Sequence, residues 1–353
     1  MKSFVSSLAA AAIAVTGTAW AQTAPTTVDG WVQAAKAAAG TDWTGTFVRL
    51  CIAPAPAAGR GAGAGAAGGG RGAGAGRGAG AAAGGGAAAS GRGAGRGTPA
   101  KETWYARPAK VADNLYWLGT KAHSSWALVG SDGIIVIDGL FEYATKDEIL
   151  DGMQQVGLNP KRVKYIIFSH AHGDHDGGAK LLQDAIPDVR IVYGKEDWDS
   201  VDARQGDKPK HETGMDGKDG QKISVGDASV QIVTMPGHTP GTLSYLFEVK
   251  DNGKPMKVAY VGGTAIPFNG TAEFYDTYLG SAKKMAKAAA DYGATALMSN
   301  HSEFDDAYFK AHTAANRKAG DPNPFDVGVN GVQRYFTVVQ DCTNAAKLRA
   351  VGQ

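Results

Sequence analysis

The stretch Ser169-His170-Ala171-His172-Gly173-Asp174-His175-Asp176-Gly177-Gly178 places three imidazoles and two carboxylates within seven consecutive residues, His170 to Asp176. A single histidine is ordinary on a surface or in a satisfied core. At this density, imidazole and carboxylate are the ligand set that zinc takes when cysteine is absent. His170 and His172 alternate, so both project to one side of an extended loop. Asp174 and His175 follow the turn at Gly173, where they can address a second metal, and Gly177 and Gly178 let the backbone approach closely before a helix begins. Immediately upstream, Val163 to Phe168 is an apolar, β-rich run of strand length, so the cluster is expected at the end of a buried strand.

Outward from this cluster, strands and helices mix. Trp126 to Val129 and Ile134 to Ile137 flank Ser131-Asp132-Gly133 and read as a hairpin. Ile149, Leu150, Met153 and Val156 recur at helical spacing within Lys146 to Val156. Gly178 to Ala185 reads as a helix and Val189 to Tyr193 as a strand. The second half repeats the rhythm, with strands expected at Ser229 to Thr234, Leu243 to Val249 and Lys257 to Val261. A helix from about Ser281 to Tyr292 follows, then a strand from Thr295 to Met298 leading into Asn300-His301, and a closing helix from Val332 to Ala350. Two similar halves of this kind predict an α/β fold of packed sheets with helices outside.

Two further segments complete the pattern in order: Met235-Pro236-Gly237-His238-Thr239-Pro240-Gly241-Thr242 and Met298-Ser299-Asn300-His301. With them, His170-Ala171-His172-Gly173-Asp174-His175 resembles the H-x-H-x-D-H motif of the metallo-β-lactamase superfamily, from about Thr103 to the C-terminus. The resemblance implies an αββα sandwich holding two zinc ions. His170, His172 and His238 would bind the first, and Asp174, His175 and His301 the second. Three protein ligands at each metal leave open positions for water, as a catalytic zinc site requires.

The strand Val258-Ala259-Tyr260-Val261-Gly262-Gly263-Thr264 has glycine where most hydrolases of that superfamily place a metal-bridging Asp. Neither cysteine is placed to ligate. In this the chain is similar to the B3 subclass of metallo-β-lactamases, as it is in Asn114 to Gly119 and Gly133 to Gly139. The implied activity is opening of the amide bond of a β-lactam ring by hydroxide generated at the metals, with Asp174 both ligating the second metal and orienting the hydroxide. The serines that B3 enzymes usually carry after this strand are replaced by Gly263, Thr264 and Ala265, where only Thr264 offers a hydroxyl. Two alternatives stand beside this reading: a lactone or ester hydrolase on the same scaffold, and a non-catalytic envelope-binding protein with a vestigial site.

The remainder of the 353-residue chain sets the context. Lys2, the apolar run Phe4 to Val15 and Ala19-Trp20-Ala21 read as a secretory signal peptide over residues 1–21, too short to span a bilayer, so a periplasmic protein is expected. An N-terminal arm (22–56) has a short helical pattern around Trp31 to Ala39. A segment over 57–100 follows, almost wholly Gly, Ala and Arg from Ala57 to Gly97, with no large apolar side chain to offset its ordering entropy; it is expected to be disordered. The hydrolase domain occupies 101–353. Net charge is +2; without Lys2 and the segment's Arg60, Arg71, Arg77, Arg92 and Arg96 it falls to −4. The net charge argues against a nucleic-acid partner; a small-molecule substrate, a β-lactam or related cyclic amide or ester, is what the resemblance implies, and a monomer with no membrane span is expected. In an exported protein, Cys51 and Cys342 form a disulfide or remain two buried thiols, and the bridge is favoured.

Several residues take a plainer reading. His123, His211 and His312 are expected to be solvated, although the loop carrying His123 borders the active site in the implied fold. Asp176 is either a partner of a ligating imidazole or a helix N-cap. Trp198, Phe268, Tyr275 and Tyr278 are assigned to the core rather than to a substrate pocket. Lys283, Lys284 and Lys287 form a solvated helix face.

Overall fold

A computed structural model describes residues 24–52 and 98–352. The expected signal peptide and most of the Gly/Ala/Arg segment lie outside the described residues. A seven-stranded sheet runs in chain order: β1 (Ala109–Ala112), β2 (Leu115–Trp117), β3 (Trp126–Val129), β4 (Ile134–Ile137), β5 (Val163–Ile167), β6 (Arg190–Gly194) and β7 (Asp216–Gly217). The first four strands pair antiparallel, and β4 through β7 pair parallel. The second sheet has the order β12-β11-β10-β9-β8, from β8 (Lys222–Val225), β9 (Ala228–Thr234), β10 (Leu243–Asp251), β11 (Lys254–Val261) and β12 (Ala296–Ser299).

Side-chain alternation along the strands builds three apolar layers. In β4, Ile135 and Ile137 face the second sheet while Ile134 and Val136 face outward to helices. In β11, Met256, Val258 and Tyr260 point into the space between the sheets, and Ala259 and Val261 point away. Both faces of both sheets are therefore covered, which is why the strands read as near-continuous apolar runs.

The helices are α1 (Val28–Ala39), α2 (Thr44–Cys51), α3 (Lys101–Trp104), α4 (Glu142–Thr145), α5 (Asp151–Gln155), α6 (Gly173–Asp176), α7 (Ala179–Ala185), α8 (Lys195–Asp202), α9 (Ala272–Tyr292), α10 (Ser302–Asp305), α11 (Ala307–Ala315) and α12 (Gly328–Ala350). A π-helical turn, Lys146–Leu150, joins α4 to α5, so the helix expected there begins earlier and is wound irregularly. The first sheet's outer face carries α4, α5, α7 and α8, and the second's carries α1, α2, α9 and α12. This is the expected αββα sandwich.

Helix α9 starts nine residues before the expected Ser281, because Thr271 caps it by accepting from Phe274 N and Tyr275, Tyr278 and Leu279 extend its buried stripe. The arm docks against the second sheet's helices. Trp43 is fully buried and donates from Nε1 to Gly331 O at 2.9 Å. Cys51 is bonded to Cys342 of α12.

Candidate metal centre

The site lies where strand ends from both sheets converge. β5 ends at Ile167, and Phe168-Ser169 carry the chain to the histidine cluster, with α6 beginning inside it at Gly173. His238 follows β9, and His301 follows β12. Close approach of backbone to backbone is required here. A Cβ on Gly178 would lie 2.6 Å from Gly139 O, and one on Gly177 would lie 2.8 Å from Glu142 N.

All six expected ligands meet. His238 Nε2 lies 3.1 Å from His170 Nε2 and 3.2 Å from His172 Nδ1. Beside them, Asp174 Oδ2 lies 3.4 Å from His175 Nε2 and 3.6 Å from His301 Nε2, and these two nitrogens are 3.0 Å apart. His170 stands close enough to Asp174 and His175 for the two groups to adjoin.

These contacts fit a divalent cation better than hydrogen bonds. His238 Nδ1 is 2.7 Å from Ala265 O and must donate to it, so its Nε2 presents a lone pair to two other ring nitrogens. A zinc–nitrogen bond of about 2.0–2.1 Å in tetrahedral geometry separates ligand nitrogens by about 3.3 Å, close to what these rings show.

The electrostatics agree with ligation by neutral imidazole. Burial, reinforced by neighbouring imidazoles, pushes His170 and His301 well below the usual histidine range. It also brings His238 down to about 4 and lowers His172. His175 is the exception: burial works against its charge, but the carboxylates of Asp174 and Asp138 outweigh that and raise it to about 10. Burial would raise Asp174, yet His175, His301 and His123 hold it below the ordinary carboxylate range.

A buried polar layer positions the ligands. Asp138, at the end of β4 with φ 63°, accepts from Ser169 N at 2.6 Å, Ser169 Oγ at 2.8 Å and Tyr260 OH at 2.8 Å. Its Oδ2 faces His175 Nδ1 at 3.3 Å. Asn300 donates to Gly262 O and to Ser169 Oγ. Asp197, in α8, ties two ligand loops together by accepting from Ala171 N (2.8 Å), Thr239 Oγ1 (2.9 Å) and Gly241 N (3.0 Å).

The glycine in place of a bridging carboxylate has a steric reason. A Cβ on Gly263 would stand 2.8 Å from both His238 Cβ and Thr242 Cγ2, and one on Gly262 would meet Ser169 Cβ at 2.8 Å. No side chain fits there without moving a ligand loop.

The family model for the Metallo-beta-lactamase superfamily matches residues 118–253. Over that stretch the chain is similar to the metallo-β-lactamase superfamily. Among curated proteins, this chain is 28% identical over 121 residues to a hydroxyacylglutathione hydrolase of Xanthomonas euvesicatoria, covering 34% of this chain and 41% of that one. It is 31% identical over 112 residues to an N-acyl homoserine lactonase of a Bacillus species, covering 31% and 42%. The chain thus spans about two fifths of the length of these relatives.

Among solved structures, a subclass B3 metallo-β-lactamase of Bradyrhizobium japonicum superposes with a TM-score of 0.56 at 22% identity, covering 70% of this chain and 97% of that one. A mutant metallo-β-lactamase from Legionella gormanii gives 0.60 at 20%, with the same coverage.

Other expectations meet the structure differently. His123 is not a solvated loop residue: its side chain is 18% exposed, and its Nε2 lies 3.5 Å from Asp174 Oδ2. Burial lowers it to about 4. Asp176 neither caps a helix nor holds an imidazole. It pairs with Arg204 at 2.6 Å and accepts from Tyr193 OH at 3.3 Å, while Arg204 also donates to Ala171 O. Thr264 is buried and donates to Asn300 Oδ1, so its hydroxyl is committed inside the protein.

His211 stacks on Trp198 and pairs with Asp202. His312 is half-buried, edge-on to Trp117. Trp198, Tyr275 and Tyr278 belong to the core. Asp138, Asn300 and Asp197 carried no sequence signal of their own beyond lying near strand ends.

Proposed function

We propose that this protein is an exported, zinc-dependent hydrolase that opens the amide bond of a β-lactam ring. The observation that carries the proposal is the pairing of a three-imidazole set with an Asp-His-His set, with Gly262 and Gly263 where a bridging carboxylate would stand. This ligand set favours a B3-like enzyme, as does the likeness of the fold to B3 structures.

Cations bound by these residues would supply a nucleophile from water at neutral pH and polarise the carbonyl under attack. His170, His172 and His238 would hold one cation, and Asp174, His175 and His301 the other. Asp174 is ionised and 13% exposed, so its carboxylate can accept a hydrogen bond from the attacking water and orient it. Asp138, Ser169 and Asn300 keep the ligand loops from reorganising during the reaction. Water's oxygen is added to the carbonyl carbon, the ring C–N bond breaks, and a proton reaches the departing nitrogen.

Periplasmic export is proposed on the N-terminal signal pattern, and the Cys51–Cys342 bridge supports an oxidising compartment. Among the described residues, no helix is long and apolar enough to cross a membrane.

A second reading, hydrolysis of an ester, thioester or lactone, is favoured by the names of the curated relatives and by the commitment of Thr264, which leaves no hydroxyl at that position for a substrate carboxylate. The test is a panel of a chromogenic cephalosporin, a penicillin, a carbapenem, a hydroxyacylglutathione and an acyl homoserine lactone, given to the zinc-loaded protein. Turnover of the β-lactams is expected. Turnover of only the thioester or lactone would replace the first reading with the second.

A further inference from the structure

We propose that His123 is an additional protein ligand of the cation held by Asp174 and His301, so that this position has four protein donors instead of three. The inference rests on the proposed metal centre and adds a residue that the ligand motifs do not contain.

Asp174 Oδ2 is the common vertex. His175 Nε2 lies 3.4 Å from it, His301 Nε2 3.6 Å and His123 Nε2 3.5 Å. His123 therefore reaches the carboxylate as closely as the two motif imidazoles. His123, Asp174 and His301 form a donor group by themselves, with ligand atoms all within 4.8 Å of one another.

The backbone explains how a loop between β2 and β3 delivers this ring. His123 and His301 face each other in an antiparallel bridge. Ser124 N donates to Asn300 O, and Ser302 N donates to Ala122 O, both at 2.9 Å. Directly opposed residues of an antiparallel pair project their side chains to one face, so fixing His301 in the site also fixes His123 there. The ring centroids are 4.9 Å apart.

On the other side of the loop, Thr120 Oγ1 accepts from His123 N at 2.9 Å and Thr120 N donates to His123 O at 2.8 Å, closing the turn. Phe141 packs edge-on against the imidazole at 5.2 Å and limits its rotation. A solvated histidine has no need of this restraint. Four protein donors make the Asp174 position the more closed of the two, and leave the position of His170, His172 and His238 as the open one.

Stripped protein titrated with Co2+ and with Zn2+ against a competing chelator tests this, comparing the parent, His123→Ala and His123→Asn. The parent is expected to take up two equivalents. Both variants should bind the first unchanged and the second at least tenfold more weakly, with a changed visible Co2+ spectrum for the second equivalent only. Added imidazole should restore that spectrum in His123→Ala, which a merely structural loss would not do. A second equivalent as tight as the parent's, with the parent's Co2+ spectrum, would overturn the assignment of His123 and leave the six-ligand centre standing. A parent that takes up no metal would overturn both.

Discussion

Replacing Asp138 by Asn tests whether the buried polar layer positions the metal centre. Asn at this position keeps the size of the side chain and tolerates the left-handed backbone at φ 63°. Its Oδ1 can still accept from Ser169 N. An amide nitrogen in place of Oδ2, however, cannot accept from Ser169 Oγ or Tyr260 OH, and it turns a donor toward His175 Nδ1.

The two hydroxyls can rotate to accept from the new amide, but their own protons then lose their partner in a fully buried setting. At about 1–3 kcal/mol for each unsatisfied buried group, unfolding should become easier by about 2–6 kcal/mol. Loss of the carboxylate behind His175 should also weaken the metal position containing Asp174, by about 10- to 100-fold. Urea unfolding gives the first quantity, and competition with a metallochromic chelator the second. An Asp138→Asn protein with unchanged stability and unchanged uptake of both equivalents would refute the positioning argument.

The remaining predictions concern stability and the ligand loops. The Cys51–Cys342 bridge closes a sequence separation of 291 residues, at the long end of the range in which disulfides contribute about 2–5 kcal/mol; the double Cys→Ser protein should melt well below the parent, and equal melting temperatures would exclude a stabilising bridge. Glu148 is buried, which raises it to about 8 although Ala106 N donates to it, and its Oε2 has no partner. The folded state thus holds a proton that the unfolded state releases near the ordinary value of about 4.5. Stability should therefore fall as pH rises from about 5 to 8, by up to about 4 kcal/mol. Glu148→Gln should flatten that decline in urea midpoints measured across the range, and an equally steep decline in the variant would assign it elsewhere. Asp197→Asn should lower kcat by at least tenfold and ease unfolding by about 1–3 kcal/mol, because the amide leaves at least one of the buried donors Ala171 N, Thr239 Oγ1 and Gly241 N without an acceptor and loosens the loops of His172 and His238; a parental kcat would show that these loops need no tie.

Much of the architecture is legible because both sheets are buried on both faces. Val163 to Phe168, Leu243 to Val249 and Lys257 to Val261 carry enough apolar, β-branched and aromatic residues to stand out as strands. The short edge strands β1 and β7, four and two residues long, owe their pairing to their neighbours and carry no such pattern. The six ligands are readable since three segments each end a strand with a histidine. The surroundings of His123 are made by a contact with Asn300 and His301, almost 180 residues away, which no local spacing reveals. Asp197 looks like an ordinary acidic first turn of a helix, as its neighbour Glu196 is. Its role exists only once the loops at Ala171 and Gly241 are folded over it.

The proposed centre requires six side chains from three segments to grip two cations side by side. Anomalous diffraction at the zinc edge from crystals of the zinc-loaded protein examines this without reference to any substrate. Two peaks are predicted, one at about 2.0–2.1 Å from nitrogens of His170, His172 and His238, the other at comparable distance from Asp174, His175 and His301. A single peak, or zinc found only elsewhere on the molecule, would rule out a two-cation centre.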